Sequence, residues 1–234
     1  MHLDNDAGLP PGAFKGYGVV PNKAMPNVFD AIAVDLTDYT SPYGSVHIRD
    51  KTSVGERLAA AGMATVYKQA STYWQGPTAT SAAASDFAPE AGVGTLSSPS
   101  PMSSIVITFG NTGAAGLSVN KTAGACSKGV CQAPFEVCTL IAAAHSSSAV
   151  GNNCSVVQTA SGGAGNWSAA KISGSTDDTV TLALSEDAAA AAEAAGGKMV
   201  VRYAWAAVPF DYKQAAVYAR AEAFPAGPFL MLVQ

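Results

Sequence analysis

Hydrophobic and polar positions predict different elements in the two halves of the chain. Residues 29–36 form a nearly continuous apolar run, as expected for a short strand that is buried on both faces of a parallel sheet. After a polar loop, Ser53-x-x-Glu56 reads as a capping box, and apolar residues then recur at helical spacing. We therefore expect a helix from about Lys51 to Gln69. Its apolar stripe would consist of Val54, Leu58, Ala61 and either Met63 or Val66.

The second half has the pattern of strands. Residues 78–101 are dominated by Ala, Ser, Thr, Pro and Gly, which predicts a linker or a long loop. Beyond them, runs rich in β-branched and aromatic residues are separated by turn residues, a pattern typical of an antiparallel sandwich. The predicted strands are 104–109, 135–141, 154–159, 178–184 and 198–205. Between the last two, Ser185-Glu186-Asp187 and an alanine run that ends at Gly196-Gly197 predict a short helix.

Composition limits the classes of function. The 234 residues are 48% apolar and 13% charged, enough apolar side chains for a sizeable core. A net charge of −4 without a Lys/Arg cluster argues against nucleic-acid binding. We expect no membrane span, because no apolar run approaches about 18 residues. The chain opens polar and acidic at residues 1–6, so as written it is expected to carry no export signal.

Cysteines and glycosylation sequons nevertheless indicate an oxidising compartment. Cys126, Cys131, Cys138 and Cys154 lie in one loop-rich region, which predicts local disulfides, with three pairings open. A zinc site is the weaker alternative, because the cysteines lack paired C-x-x-C spacing. Sequons at Asn120, Asn153 and Asn166 fall in the same region. We therefore predict a secretory-pathway protein, lysosomal or extracellular.

A histidine loop is the strongest candidate for chemistry. His47 follows a Gly/Ser/Pro-rich stretch, where an α/β hydrolase would expose its general base beyond the sheet, and Asp35 and Asp38 are close enough in sequence to orient the imidazole. Taken alone, a loop histidine that hydrogen-bonds locally explains His47 as well. His145 has no carboxylate nearby and is expected to be a surface residue.

Two sequence blocks resemble a known family. Residues 35–51 are similar to the histidine block of the sialate O-acetylesterases, D-L-x-D-x-x-S-P-x-G-S-x-H-P-R-D-K, with Ile48 in place of the usual proline. Residues 201–229 resemble the closing motif V-R-Y-A-W … P … Y-K-Q … P-A-x-P-F of the same family. The middle of the chain matches only loosely. The blocks lie far apart and in the family's order, so they support the resemblance independently.

The resemblance implies an α/β fold class in which residues 1–77 are the C-terminal part of a flavodoxin-like, SGNH-type esterase domain. Residues 78–101 would be the linker, and residues 102–234 a β-rich, sandwich-like domain. It also implies an esterase that removes O-acetyl groups from sialic acid or a related glycan, with an acetylated sugar as its partner and no metal or organic cofactor.

In that interpretation His47 is the general base and Asp38 its acid partner. Asp35 and a backbone carbonyl remain alternatives for orienting the imidazole. No segment reads as the family's nucleophile motif, so the serine and the oxyanion donors would lie outside this chain. A non-catalytic glycan-binding or structural β-protein is the alternative function.

Overall fold

The computed structural model describes residues 29–44, 47–69, 73–85, 103–127, 130–139, 167–194, 199–206, 208–221 and 224–234. These residues form two helices and eleven strands. The helices are α1 (Lys51–Thr65) and α2 (Glu186–Ala194). The strands are β1 (Thr78–Ser85), β2 (Ser104–Gly110), β3 (Leu117–Val119), β4 (Ala125–Ser127), β5 (Val130–Gln132), β6 (Phe135–Thr139), β7 (Ser168–Ser175), β8 (Thr179–Ala183), β9 (Met199–Tyr203), β10 (Val217–Ala219) and β11 (Phe229–Leu232).

Seven strands form one antiparallel sheet, in the order β1-β2-β8-β7-β6-β9-β11. Beyond β11, Gln234 returns to the opposite edge strand, where its N–H donates to the carbonyl of Ala82 over 2.9 Å and its carbonyl accepts from Ala84 over 3.0 Å. The sheet therefore closes on itself, which satisfies backbone groups that an open edge would expose. Two small pairs, β3 with β10 and β4 with β5, complete the strands of the described residues.

An aromatic row fills the closed sheet. The register places Tyr203 of β9 opposite both Phe135 of β6 and Phe229 of β11, and all three side chains are fully or almost fully buried. Ring centroids lie 4.7 Å apart for Phe135 and Tyr203, and 5.4 Å apart for Tyr203 and Phe229. Such cross-strand aromatic pairs stabilise a sheet beyond their buried area. Tyr203, the first aromatic residue of the closing motif, is thus a core residue.

Two neighbours of Tyr203 in that motif also pack into the β domain. Trp205 is buried, and Arg202 of β9 is only 5% exposed. The Nε of Arg202 donates to the Glu136 carboxylate over 2.8 Å. Its guanidinium stacks 3.9 Å from the ring centroid of Trp167. These contacts give Arg202 and Trp167 a structural role.

Most strand predictions for the second half are confirmed. The predicted strands 104–109, 135–141, 178–184 and 198–205 coincide with β2, β6, β8 and β9. Residues 140, 141 and 198 and the predicted strand 154–159 lie outside the described residues. The short helix is also confirmed, with Glu186 and Asp187 in its first turn. The antiparallel β domain is therefore present, with a sandwich- or barrel-like form.

The predicted strand at residues 29–36 was wrong. This segment is irregular and contains a turn in which Leu36 donates its N–H to Ala33. The apolar run suggested a strand covered on both faces. No described strand runs beside this segment, however, and it contains the buried, polar residue Asp35. A flavodoxin-like α/β domain is not seen in the described residues and stays a prediction.

The predicted helix was correct in position but not in its limits. Asp50, rather than Ser53, is the N-cap and accepts the N–H of Ser53 over 2.9 Å. The helix ends at Thr65 because Lys68 adopts a left-handed φ of 59° and Gln69 donates back to Met63. Leu58 and Val66 of the expected stripe are largely exposed, while Arg57 and Ala61 are buried.

The predicted linker contains a strand. β1 pairs with β2 from Thr78 to Ser85, with one irregularity between Ala79 and Ser81, so the β domain begins before residue 102. Small side chains bury little surface, but backbone pairing along an existing strand supplies the order that composition did not predict. Residues 86–100 lie outside the described residues.

Two further observations concern a cysteine and the helices. Cys138 on β6 is buried and disulfide-bonded. Among the helices of the described residues, none has both the length and the apolar character of a membrane-spanning segment.

Candidate active site around the His47 loop

Successive turns link Asp38 to His47. Ser41 donates its N–H to Asp38, Gly44 to Ser41, and His47 to Gly44 over 2.9 Å. Gly44 has a φ of 98°, which a residue with a side chain rarely adopts. The loop ends at α1, and the His47 side chain is exposed. An exposed imidazole at this position can exchange protons with a molecule in the solvent.

A charged clamp closes this loop. Arg49 donates from Nε to Asp38 Oδ2 over 2.6 Å and from Nη2 to Asp38 Oδ1 over 2.8 Å. The backbone N–H of Arg49 and the hydroxyl of Thr40 add two longer hydrogen bonds to the same carboxylate. These bonds from Arg49 hold the pKa of Asp38 far below its usual value and raise the pKa of Arg49. Residues 38 and 49 are thereby joined on either side of His47.

The Asp38 carboxylate therefore contacts other residues of the loop rather than the His47 imidazole. Within the described residues, no hydrogen bond joins the Asp38 carboxylate to the His47 ring. Its oxygens accept from Arg49 and Thr40. A direct role for Asp38 in orienting His47 stays a prediction.

Asp35 has a different role from the one its sequence position suggested. It is completely buried and forms a two-pronged ion pair with Arg57 of α1, at 2.7 and 2.8 Å. Tyr218 of β10 donates its hydroxyl to Asp35 Oδ2 over 2.9 Å. Burial first, and the nearby Asp35 charge second, raise the pKa of Tyr218 well above its usual value. With these partners, Asp35 ties α1 to the β domain.

Asp50 makes a second connection between the loop and the β domain. Besides capping α1, it accepts the hydroxyl of Tyr212 over 2.7 Å, and the ammonium group of Lys213 lies 3.7 Å away. Hydrogen bonds from Ser53 are the main reason that the pKa of Asp50 is lowered, followed by the bond from Tyr212. Lys213 also donates its backbone N–H to the carbonyl of Asp35 over 2.6 Å.

The two motif blocks are therefore one unit in three dimensions. Asp50 and Tyr212 are 162 residues apart in the chain, and Asp35 and Tyr218 are 183 apart. The histidine loop is fastened to the closing motif at both its start and its end. Among the described residues, no group of three or more His, Cys, Asp and Glu is arranged to hold a metal ion.

Sequence reasoning missed Arg57 and Tyr218. A signal for Arg57 was present, because it stands three residues after Val54 and four before Ala61, on the face that was expected to be buried. An arginine at such a position needs a carboxylate partner, but Glu56, Asp50 and Asp38 all lie nearer along the chain than Asp35, so this signal did not identify the partner. Tyr218 had no comparable signal, since its partner is distant in sequence.

Two kinds of comparison relate this chain to known proteins. Residues 104–233, more than half of the chain, match the family model described as "Sialate O-acetylesterase C-terminal domain". A mouse sialate O-acetylesterase is 30% identical over 214 residues, which are 92% of this chain and 30% of the mouse protein. Rat and human sialate O-acetylesterases are 48% and 46% identical over 61 residues, 26% of this chain and 11% and 12% of those proteins.

The chain thus spans about a third of the length of the mouse relative. The family model covers β2 to β11, and the mouse alignment covers nearly all of the chain. The chain belongs to the sialate O-acetylesterase family, of which residues 104–233 are the C-terminal domain.

Proposed function

We propose that this chain is part of a carboxylic-ester hydrolase that removes O-acetyl groups from sialic acid or a related acetylated glycan. Membership of the family supports the reaction class. The observation that carries the proposal is the exposed His47 on a loop that Asp38 and Arg49 clamp and that Tyr212 fastens to the β domain. An exposed imidazole on a loop that is bonded on both sides of the histidine suits proton transfer.

In the proposed mechanism, His47 is the general base. It takes the proton from a serine hydroxyl while the serine oxygen attacks the acetyl carbonyl, and it returns that proton to the departing sugar oxygen. We propose that the serine and the oxyanion donors belong to protein sequence outside these 234 residues, and that residues 1–77 complete an α/β esterase domain with it. The chain by itself is then inactive.

Asp38 is the proposed acid partner, and its contacts suggest how it acts. Through Arg49 it fixes the loop that bears His47, so it positions the base even where a backbone carbonyl orients the ring. Asp35 is the weaker candidate, because both its oxygens are engaged by Arg57 and Tyr218.

Acetate release from an acetylated sialic acid tests this function. The full-length product should release acetate, and His47→Ala should lower kcat by about two to four decades, the usual contribution of a general base. His145→Ala is the matched control and should retain the wild-type rate. Equal rates for His47→Ala and wild type would remove His47 from the mechanism. If the full-length wild type released no acetate, the non-catalytic alternative would replace the esterase.

We also propose that the protein matures in the secretory pathway, in a lysosomal or extracellular location. The four cysteines, the disulfide-bonded state of Cys138 and the three sequons support this compartment. Of the sequon asparagines, Asn120 lies in the described residues, where its Oδ1 accepts from the N–H and the hydroxyl of Thr122.

A further inference from the structure

Asn120 begins a glycosylation sequon, and its side chain is held in one orientation. Its Oδ1 accepts the N–H of Thr122 over 3.1 Å and the Thr122 hydroxyl over 3.0 Å. Its Nδ2 donates to Gln214 Oε1 over 3.3 Å. Lys121, Thr122 and Gln214 are all exposed. The nitrogen to which a glycan would be attached therefore lies beside the closing motif, among exposed residues, and points in a defined direction.

The strand pairing places Asn120 at the border of a cleft. This cleft of about 410 Å³ lies between α1 and the β3/β10 pair, and the register partners Ser118 and Tyr218 both line it. The pairing continues past the end of β3, because Asn120 donates its N–H to the carbonyl of Ala216 over 2.9 Å. Side chains two positions apart on a strand lie on the same face, about 7 Å from each other. Asn120 therefore shares the face of Ser118 and borders the cleft.

The charges of the cleft favour a neutral ligand. The three basic residues of its lining each pair with an aspartate: Arg57 with Asp35, Lys213 with Asp50, and Arg220 with Asp177. Glu56 is the remaining charged residue of the lining, and it is exposed. Its carboxylate would repel an acidic ligand, whereas a neutral ligand with hydroxyl groups could donate hydrogen bonds to it.

The cleft also has the size and the groups that suit sugar rings. Phe224 lines it and is half-buried, with an edge contact to Tyr73 at 5.6 Å between ring centroids. The Ser118 hydroxyl on β3 and the Glu56 carboxylate on α1 supply polar groups from two sides. A volume of this size with an apolar surface beside a few polar groups is typical of a ligand site. The first sugars of an N-linked glycan are neutral N-acetylglucosamine residues, which present hydroxyl groups and an apolar ring face.

We propose that Asn120 carries an N-linked glycan whose first sugars lie in this cleft and cover Glu56. The proposal rests on the proposed maturation in the secretory pathway, where the donor is an oligosaccharide on a lipid diphosphate. Attachment forms a bond between Asn120 Nδ2 and the anomeric carbon of the donor sugar. It breaks the bond from that carbon to the diphosphate oxygen and releases one amide proton together with the lipid diphosphate. One N–H stays on Nδ2, so the hydrogen bond to Gln214 is compatible with the glycan.

Peptide mass mapping tests the attachment. The full-length product would be secreted from a eukaryotic host behind an added signal peptide, so that the test does not depend on its native compartment. We expect the peptide that contains Asn120 to carry a glycan that an N-glycosidase removes. Thr122→Ser keeps the sequon and should keep the glycan, whereas Thr122→Ala should lose it. An unmodified Asn120 in the secreted wild type would overturn the proposal.

Carbodiimide labelling of carboxylates tests where the glycan lies. Sugars seated in the cleft should slow the labelling of Glu56 several-fold in the glycosylated wild type relative to Thr122→Ala. Glu186, which is exposed in the first turn of α2, is the matched control and should be labelled equally in both proteins. Wild type trimmed by the N-glycosidase gives the same comparison if Thr122→Ala does not fold. Equal labelling of Glu56 with and without the glycan would overturn its location in the cleft.

These measurements fail separately from the proposed function. An inactive esterase would leave both the glycan and the protection of Glu56 unchanged, and a missing glycan would leave the acetate assay with His47→Ala unaffected. Protein from the native host that lacks the glycan, although the secreted product carries it, would overturn the proposed compartment. Absence of the glycan from the secreted product would overturn the site at Asn120 itself.

Discussion

Single residues of the histidine block have roles that their spacing does not reveal. Asp35 and Asp38 are three positions apart, yet one is buried against Arg57 and Tyr218 while the other faces Arg49 at the surface. A buried carboxylate requires hydrogen-bonded partners, and two of its partners come from elements distant in sequence. The contacts of both aspartates are therefore structural ones.

The Tyr218 hydroxyl gives a clean test of the buried network. Tyr218→Phe removes one donor from the Asp35 carboxylate and the acceptor of the Ala215 N–H. We expect the free energy of unfolding to fall by about 1.5 to 3 kcal/mol, the usual cost of losing a hydrogen bond to a buried charge. Tyr67→Phe is the matched control, since Tyr67 is 72% exposed, and should change stability by less than about 0.5 kcal/mol. Equal free energies of unfolding in urea for Tyr218→Phe and the wild type would contradict this role.

The clamp of Asp38 with Arg49 should resist acid. Because the folded pKa of Asp38 is depressed below its usual 3.8, the contribution of this carboxylate is present above that value and is lost only as the pH falls through the lower folded pKa. We therefore expect the Arg49 Nε–Hε resonance to stay constant from about pH 7 to about pH 4. In Asp38→Asn the resonance should be displaced throughout that range. A titration of the wild-type resonance centred near 3.8 would show that the clamp is absent in solution.

At the scale of elements, the sequence pattern predicted those strands and helices whose formation is determined by their own side chains. The strands β2, β6, β8 and β9 have β-branched or aromatic residues on their buried face, so their pattern was sufficient. The helix α2 was predicted from its acidic first turn and alanines. The predictions that failed depend on partners. β1 is ordered by pairing with β2, and residues 29–36 are irregular, with no strand of the described residues beside them.

The histidine loop shows the same limit. Its position and the exposure of His47 agree with the sequence argument. The contacts of Asp50 with Tyr212, and of Asp35 with Tyr218, could not be predicted, because no local pattern reports a partner more than 160 residues away.

The β4/β5 hairpin predicts one disulfide pairing among the three left open by sequence. Its register places Cys126 opposite Cys131, and opposed residues of an antiparallel pair have Cα atoms about 4.5 to 5.5 Å apart, within the reach of a disulfide. Cys138 would then pair with Cys154. We expect non-reducing peptide mapping of protein from its native host to find these two bridges and no free thiol. A peptide that links Cys126 or Cys131 to Cys138 would contradict the pairing, and four free thiols would contradict the compartment.

At the scale of the whole molecule, the histidine block and the closing motif depend on each other. The loop that bears His47 begins at the Asp35 network and ends at Asp50, and the residues that fix both points come from the last quarter of the chain. The β domain is therefore the support on which the candidate base is held.

This dependence also affects when the loop can form during synthesis. Asp50 leaves the ribosome 162 residues before Tyr212, which at about 5 to 20 residues per second is a delay of roughly 8 to 30 s. During that interval the segment with Arg57 and Asp35 has no β10 to bind. Contacts between residues so far apart in sequence form late, because the loop-closure entropy must be overcome first. The nascent histidine block therefore lacks these partners until the last strands emerge.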